Sequence, residues 1–266
     1  MHVCLIGDSH GNVRFLRSTL RRIAAHRDAN QVDVLAISLG DFGFWPGQDG
    51  WEFVQAVQSI AETTGVPLWV LDGNHDYPGH RGAPESYRHW SNHEPDPVAT
   101  KFCHLPRGTR FGIGATVFGV CGGAVSIDRR SRKPGRSWWH EESITDEDVE
   151  SIESTDPVDV LLAHDAPWPP AGTAPYHDPH DPDLRQDLDA NHRRLQQVVA
   201  HWFPELVIHG HWHMPCAAEF ELGGKTIKVV GLGYEDLDTA TLVLDAGDRS
   251  LHVLGGGAAG PPSLLP

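Results

Sequence analysis

Histidine and aspartate recur in this chain in short clusters whose types and spacing are those of metal ligands. One of them, His209-Gly210-His211-Trp212-His213, follows a brief apolar run, Leu206-Val207-Ile208, that reads as a buried strand. Residues two apart in an extended segment project to the same side, so His211 and His213 are expected to hold two imidazoles a few ångströms apart. Two neutral imidazoles at a strand end suit Zn, Mn or Fe rather than Ca. Four further stretches have the same character: Gly7-Asp8-Ser9-His10, Gly40-Asp41, Gly73-Asn74-His75-Asp76 and His164-Asp165. Asp8 and His10 are also two apart, a spacing that lets both face one ion.

Each cluster ends an apolar, β-favouring run. Residues 2–6 lead into the first, and a helical pattern from Val13 through Ile23 follows it. Val32–Leu39 lead into Gly40-Asp41, with a helical stretch at about 51–63. Pro67–Leu71, Val158–Ala163 and Leu206–Ile208 complete the set. Strands that alternate with helices form a largely covered sheet, and ligands gather beyond the carboxyl ends of such strands. Five polar strand ends at corresponding positions therefore converge on one site.

The rest of the chain has a different texture. Residues 102–105, 109–111 and 116–121 read as short antiparallel strands with Gly and Pro turns. From Gly122 to His140 the chain is rich in Gly, Ser and Arg and closes on Trp138-Trp139, which are expected to anchor the loop. Ser143-Ile144-Thr145-Asp146 starts an acidic helix reaching about Ser154. Residues 166–183, with His177 and His180, read as an irregular proline-rich loop, and a helix follows at about 185–201. Stretches 216–222, 225–232 and 239–245 look like a second antiparallel run. No repeat or linker divides the chain, so a single domain is expected over 1–254, with 255–266 a fraying Gly/Ala/Pro tail.

With 266 residues, 39% hydrophobic and 21% charged, the chain has the composition of a soluble globular protein able to bury a large core. A net charge of −15 disfavours non-specific attraction to long duplex nucleic acid or anionic membrane. No stretch approaches the ~20 apolar residues of a membrane span. The start carries no basic leader pattern, and Cys4, Cys103, Cys121 and Cys216 show no C-x-x-C spacing. Buried free thiols in a reducing, cytoplasmic setting are the expectation; oligomeric state is not readable.

Asp8-x-His10, Gly40-Asp41, Gly73-Asn74-His75-Asp76, His164 and Gly210-His211-x-His213 together resemble the calcineurin-like metallophosphoesterase superfamily, in its small bacterial or phage-type branch. The motifs stand in that family's order between residues 7 and 213. The resemblance implies an α/β, four-layer fold: a two-layer β-sandwich flanked by helices, with a dinuclear metal site at the strand ends. Carried over by position, it implies that Asp8, His10, Asp41 and His213 hold one divalent ion (Mn, Fe or Zn). Asp41, Asn74, His164 and His211 would hold a second, with the Asp41 carboxylate bridging. It further implies that His75 contacts phosphate and donates a proton, and that Asp76 orients the His75 ring.

Physical chemistry agrees with that assignment. Two divalent ions ~3.5–4 Å apart can clamp a phosphoryl group and acidify a bridging water, whose hydroxide attacks phosphorus in line. A positioned acid for the leaving alkoxide is worth ~10²–10⁴-fold. The expected activity is thus metal-dependent hydrolysis of a phosphate monoester or diester on a small or nucleotide-like substrate. A cyclic-nucleotide or short-oligonucleotide phosphodiesterase and a protein phosphatase are alternatives; a catalytically silent scaffold that binds a protein partner is another, from a different class. The phosphate-gripping Arg that protein phosphatases of this superfamily carry after Gly-Asp is missing, since Phe42-Gly43-Phe44 stand there. Arg129, Arg130 or Arg132 is the expected replacement, and Asn12 either touches phosphate or caps the first helix.

Overall fold

The computed structural model describes residues 1–76, 102–167, 181–235 and 237–255. Its strands are β1 (His2–Ile6), β2 (Val34–Leu39), β3 (Leu68–Leu71), β4 (Phe102–His104), β5 (Arg110–Ile113), β6 (Thr116–Cys121), β7 (Val160–Ala163), β8 (Leu206–His209), β9 (Cys216–Leu222), β10 (Lys225–Gly231), β11 (Thr241–Asp245) and β12 (Leu251–Val253). Helices α1 (Val13–Asn30), α2 (Gln48–Thr64), α3 (Asp146–Glu153) and α4 (Pro182–Trp202) cover them.

The apolar runs are continuous because their strands bury both faces. In β1, Val3 and Leu5 face the core between the sheets, while Cys4 and Ile6 pack on Leu16, Leu20 and Phe53 of α1 and α2. In β7, Val160 and Leu162 face inward, and Leu161 and Ala163 pack on Leu195 and Trp202 of α4. This parity divides the strands between two six-stranded sheets, ordered β12-β11-β1-β2-β3-β4 and β5-β6-β7-β8-β10-β9. The expectation of one covered sheet is therefore corrected: two sheets stack face to face, each with helices on its outer side, in the four-layer α/β sandwich that the resemblance implies.

A second correction concerns the late strands. β9 and β10 pair antiparallel beside β8, but β11 crosses to the other sheet and pairs antiparallel with β1. Three of these helices begin where side chains cap them: Asn12 accepts from Phe15 N–H, Thr145 and Asp148 form a reciprocal capping box, and Asp181 accepts from Asp183 N–H. Cys4, Cys103 and Cys121 are buried free thiols, pushed up to about 12 by burial, and so are poor nucleophiles. No helix among the described residues is long and apolar enough to cross a membrane. His177, His180 and residues 256–266 lie outside the described residues.

Candidate metal centre

The neighbouring strands β1, β2 and β3 of one sheet run parallel and lead into Asp8, Asp41 and Asn74. In the facing sheet, parallel β7 and β8 lead into His164 and His211. Once past the strand ends the backbone turns left-handed, with φ of 43° at His10, 44° at Asp41, 61° at His211 and 53° at His213. These are four of the seven non-glycine residues with positive φ among those described. Such a conformation costs an L-residue roughly 1–2 kcal/mol, so the surroundings must hold it. The expectation that His211 and His213 extend from the strand is corrected here: β8 ends at His209, and the left-handed turns send the two rings to different donor groups.

Hydrogen bonds between loops supply the hold. The Asp41 carbonyl accepts from Ser9 N–H (3.2 Å) and His10 N–H (2.7 Å), and the Phe42 carbonyl accepts from Gly11 N–H (2.9 Å). His211 N–H donates to both oxygens of Asp8, at 3.1 and 3.0 Å. His75 N–H donates to Asp41 Oδ1 at 2.8 Å. A Cβ on Gly40 would overlap the His164 ring, and one on Gly210 would overlap the Asp8 carboxylate. The glycines ahead of Asp41 and His211 are thus required by the closeness of the next loop.

The donor atoms form two groups in which every atom lies within 4.8 Å of the others: Asp8, His10, Asp41 and His213, and Asp41, His164 and His211. Asp41 belongs to both. In the first, His213 Nε2 is 3.0 Å from Asp8 Oδ2 and 2.9 Å from His10 Nε2. In the second, His164 Nε2 is 3.3 Å from Asp41 Oδ1 and 3.0 Å from Asn74 Oδ1. The His164 Nδ1 atom is 2.7 Å from the Leu39 carbonyl, which fixes its proton on that nitrogen and leaves Nε2 to face the group. Lone-pair donors about 3 Å apart have the spacing of adjacent ligands at ~2.0–2.2 Å around a shared cation. The mixed carboxylate, amide and imidazole set therefore fits divalent metal ions.

Two of the donors carry the charge state that ligation needs. Burial raises the Asp41 carboxyl, yet His164, His75 and His10 around it hold it well below the usual carboxylate range. Burial pushes His211 down to about 4, so its ring is neutral and able to ligate near pH 7.

Several site residues behave differently from expectation. Asp76 does not orient the His75 ring: its two buried oxygens accept from the N–H groups of Phe42 (3.1 Å), Gly43 (2.8 Å), Phe44 (2.9 Å) and Gly73 (2.9 Å). It shapes the loop that carries Asp41. Of the two roles expected for Asn12, the structure shows the cap: its oxygen accepts from Phe15 N–H at the start of α1, and its amide donates to Glu235 at 3.5 Å. Arg129 pairs with Asp187 of α4 and Arg130 with Asp181. Arg132 is the one brought to the centre: it donates to Ser126 Oγ and, at 3.3 Å, to the Asn74 carbonyl. The sequence reading missed Ser126, which also accepts from Asn74 Nδ2 (3.0 Å). It also missed the network behind His211, where Asp165 accepts from Asn191 (2.8 Å) and Trp212 (3.2 Å) and meets His192 (3.5 Å). The His164-Asp165 dipeptide was the only sequence signal for it.

The family model described as calcineurin-like phosphoesterase matches residues 1–215. No curated protein matches the chain. Among solved structures, sulfate thiohydrolase SoxB from Thermus thermophilus is 14% identical, with a TM-score of 0.47, over 90% of this chain and 41% of its own. NAD nucleotidase (NadN) from Haemophilus influenzae is 11% identical, with a TM-score of 0.46, over 96% and 50%. A 5'-nucleotidase precursor, also from Thermus thermophilus, is 13% identical, with a TM-score of 0.49, over 98% and 55%. The chain spans about half the length of these proteins.

Proposed function

This chain belongs to the calcineurin-like phosphoesterase family, and from that premise we propose that it hydrolyses a phosphate monoester or diester at a dinuclear centre of divalent metal ions. The observation that carries the reading is the Asp41 carboxylate common to both donor groups. A carboxylate has two oxygens and can serve two ions, which a single imidazole nitrogen cannot. Asp8, His10 and His213 complete one set of ligands; Asn74, His164 and His211 complete the other. Two such ions, when bound, supply charge neutralisation at the phosphoryl oxygens and a water acidic enough to attack near pH 7.

The remaining steps belong to side chains. His75, its backbone tied to Asp41 and its ring edge-on to His10 with centroids 5.5 Å apart, contacts the phosphate and gives a proton to the leaving alkoxide. Arg132 takes a non-bridging oxygen of the substrate, in place of the arginine that Phe42-Gly43-Phe44 displaces.

The test is turnover of nitrophenyl phosphate and bis-nitrophenyl phosphate by chain loaded with Mn, Fe, Zn, Ni or Co. The reading expects metal-dependent release of nitrophenol, and the preferred ester separates monoesterase from diesterase. No turnover with any of the five metals would favour a binding scaffold instead.

A further inference from the structure

Beside His75 opens a cleft of about 340 Å³, lined by Trp45, Pro46, Arg132, Arg136, Ser137 and Trp139. That volume is at the lower end for small-molecule sites. Its position has chemical meaning if His75 protonates the leaving oxygen, because the alcohol attached to that oxygen must then lie on the His75 side.

The walls are built rather than incidental. Trp45 packs on Gly11, where any Cβ would strike the indole, and its centroid lies 6.2 Å from Phe53. The same ring stays 38% exposed. Opposite it, residues 133–138 form a tight turn: Arg136 N–H and Ser137 N–H donate to the Lys133 carbonyl at 3.0 and 2.9 Å, and Gly135 N–H donates to the Trp138 carbonyl at 2.8 Å. This turn presents Arg136. Arg129, Arg130 and Arg132 each meet a carboxylate, whereas Arg136 is exposed and meets none among the described residues. A guanidinium that meets no carboxylate among the described residues, on a chain of net charge −15, is a local exception that a ligand can use.

We infer that Trp45 and Arg136 are specificity-determining residues that recognise a planar heteroaromatic ring, as in a nucleoside, on the leaving alcohol. An indole face and a guanidinium both stack on such a ring, and an aliphatic alcohol has no π-face to stack on either. The inference rests on the phosphoesterase reading above and gives its site a substrate class.

The experiment compares phosphate release from adenosine 5'-monophosphate with release from ribose 5-phosphate, which has the same reacting end and no base. The metal-loaded protein is expected to prefer the nucleotide by about tenfold or more in kcat/KM, the scale of one stacked base. Trp45→Leu and Arg136→Gln should each cut that preference severalfold, and Trp45→Phe should restore most of it. Equal kcat/KM for the two substrates, or an unchanged preference in both variants, would overturn the inference. Absence of turnover of nitrophenyl phosphate would defeat the hydrolytic reading separately. Ring recognition is then read from tryptophan fluorescence: saturable quenching by adenosine 5'-monophosphate, lost in Trp45→Leu, supports it, and no quenching sinks it.

Discussion

At the scale of single residues, Asp41 stands apart because both donor groups need it. Asp41→Asn keeps the shape but removes the charge and one of two equivalent oxygens. It is expected to abolish binding of both ions and to lower turnover by roughly three orders of magnitude, since such ions are worth several kcal/mol to the transition state. His213→Ala, which touches one group only, should leave about half the bound metal by elemental analysis. Equal metal loss in the two variants would contradict the sharing. His75→Ala should slow hydrolysis of alkyl phosphates by about 10²-fold or more and affect nitrophenyl esters much less, because nitrophenolate needs no proton. Ligand types and their order could be read from the residues themselves. The direction of a side chain could not, and Asp76 illustrates this: adjacency to His75 made it look like that ring's orienter, whereas its partners are the backbone of residues 42–44 and 73.

At the scale of elements, the loop after β2 depends on Asp76 for its form. Asp76→Asn would set an amide N–H₂ against several N–H donors in a buried pocket. A loss of ~1–3 kcal/mol in stability per unsatisfied group follows, together with weakened metal binding. Chemical denaturation with and without metal measures both. A different element reports on pH. On α1, His26 Nε2 is 2.9 Å from His2 Nδ1 at the start of β1, and the His26 ring lies 5.9 Å from His252 of β12, centroid to centroid. Asp245, 3.5 Å from His2, and Asn30, 3.2 Å from His26, complete the cluster. Burial first, then His2 and His252, lower the His26 pKa below its ordinary value. The unfolded chain therefore binds the proton more readily, so the contribution to stability is full above about pH 6.5 and is lost as pH falls through the folded value. The melting temperature should drop on acidification, with a shallower slope in His26→Gln; parallel slopes would refute this. The cluster itself escaped sequence reading because its members come from β1, α1 and β12.

At the scale of the whole molecule, the proposed ligands ride on two sheets, with Asp8, Asp41 and Asn74 after β1 to β3, and His164 and His211 after β7 and β8. Bound cations would hold those ends together and stabilise only the folded form. At a free-metal concentration 100 times Kd, the gain is about 2.7 kcal/mol. A chelator should therefore lower the melting temperature by several degrees, and Asp41→Asn should be insensitive to it. Strand positions were legible because each run is apolar on both faces. Their division between sheets was not, since a strand covered on both sides carries no mark of which neighbour it joins. The left-handed turns at His10, Asp41, His211 and His213 were equally hidden, because only glycine announces that conformation in a sequence.

Trp69 and Phe118, wholly buried in the layer between the sheets, thereby acquire an influence at a distance. They act as spacers that set how wide the jaw of donors stands. Trimming Trp69 would let the sheets settle closer and alter the bite, and with it the ionic radius the jaw grips best. A Trp69→Leu variant is therefore expected to shift which divalent ion the protein binds best, read by competition between metals, with every donor side chain unchanged.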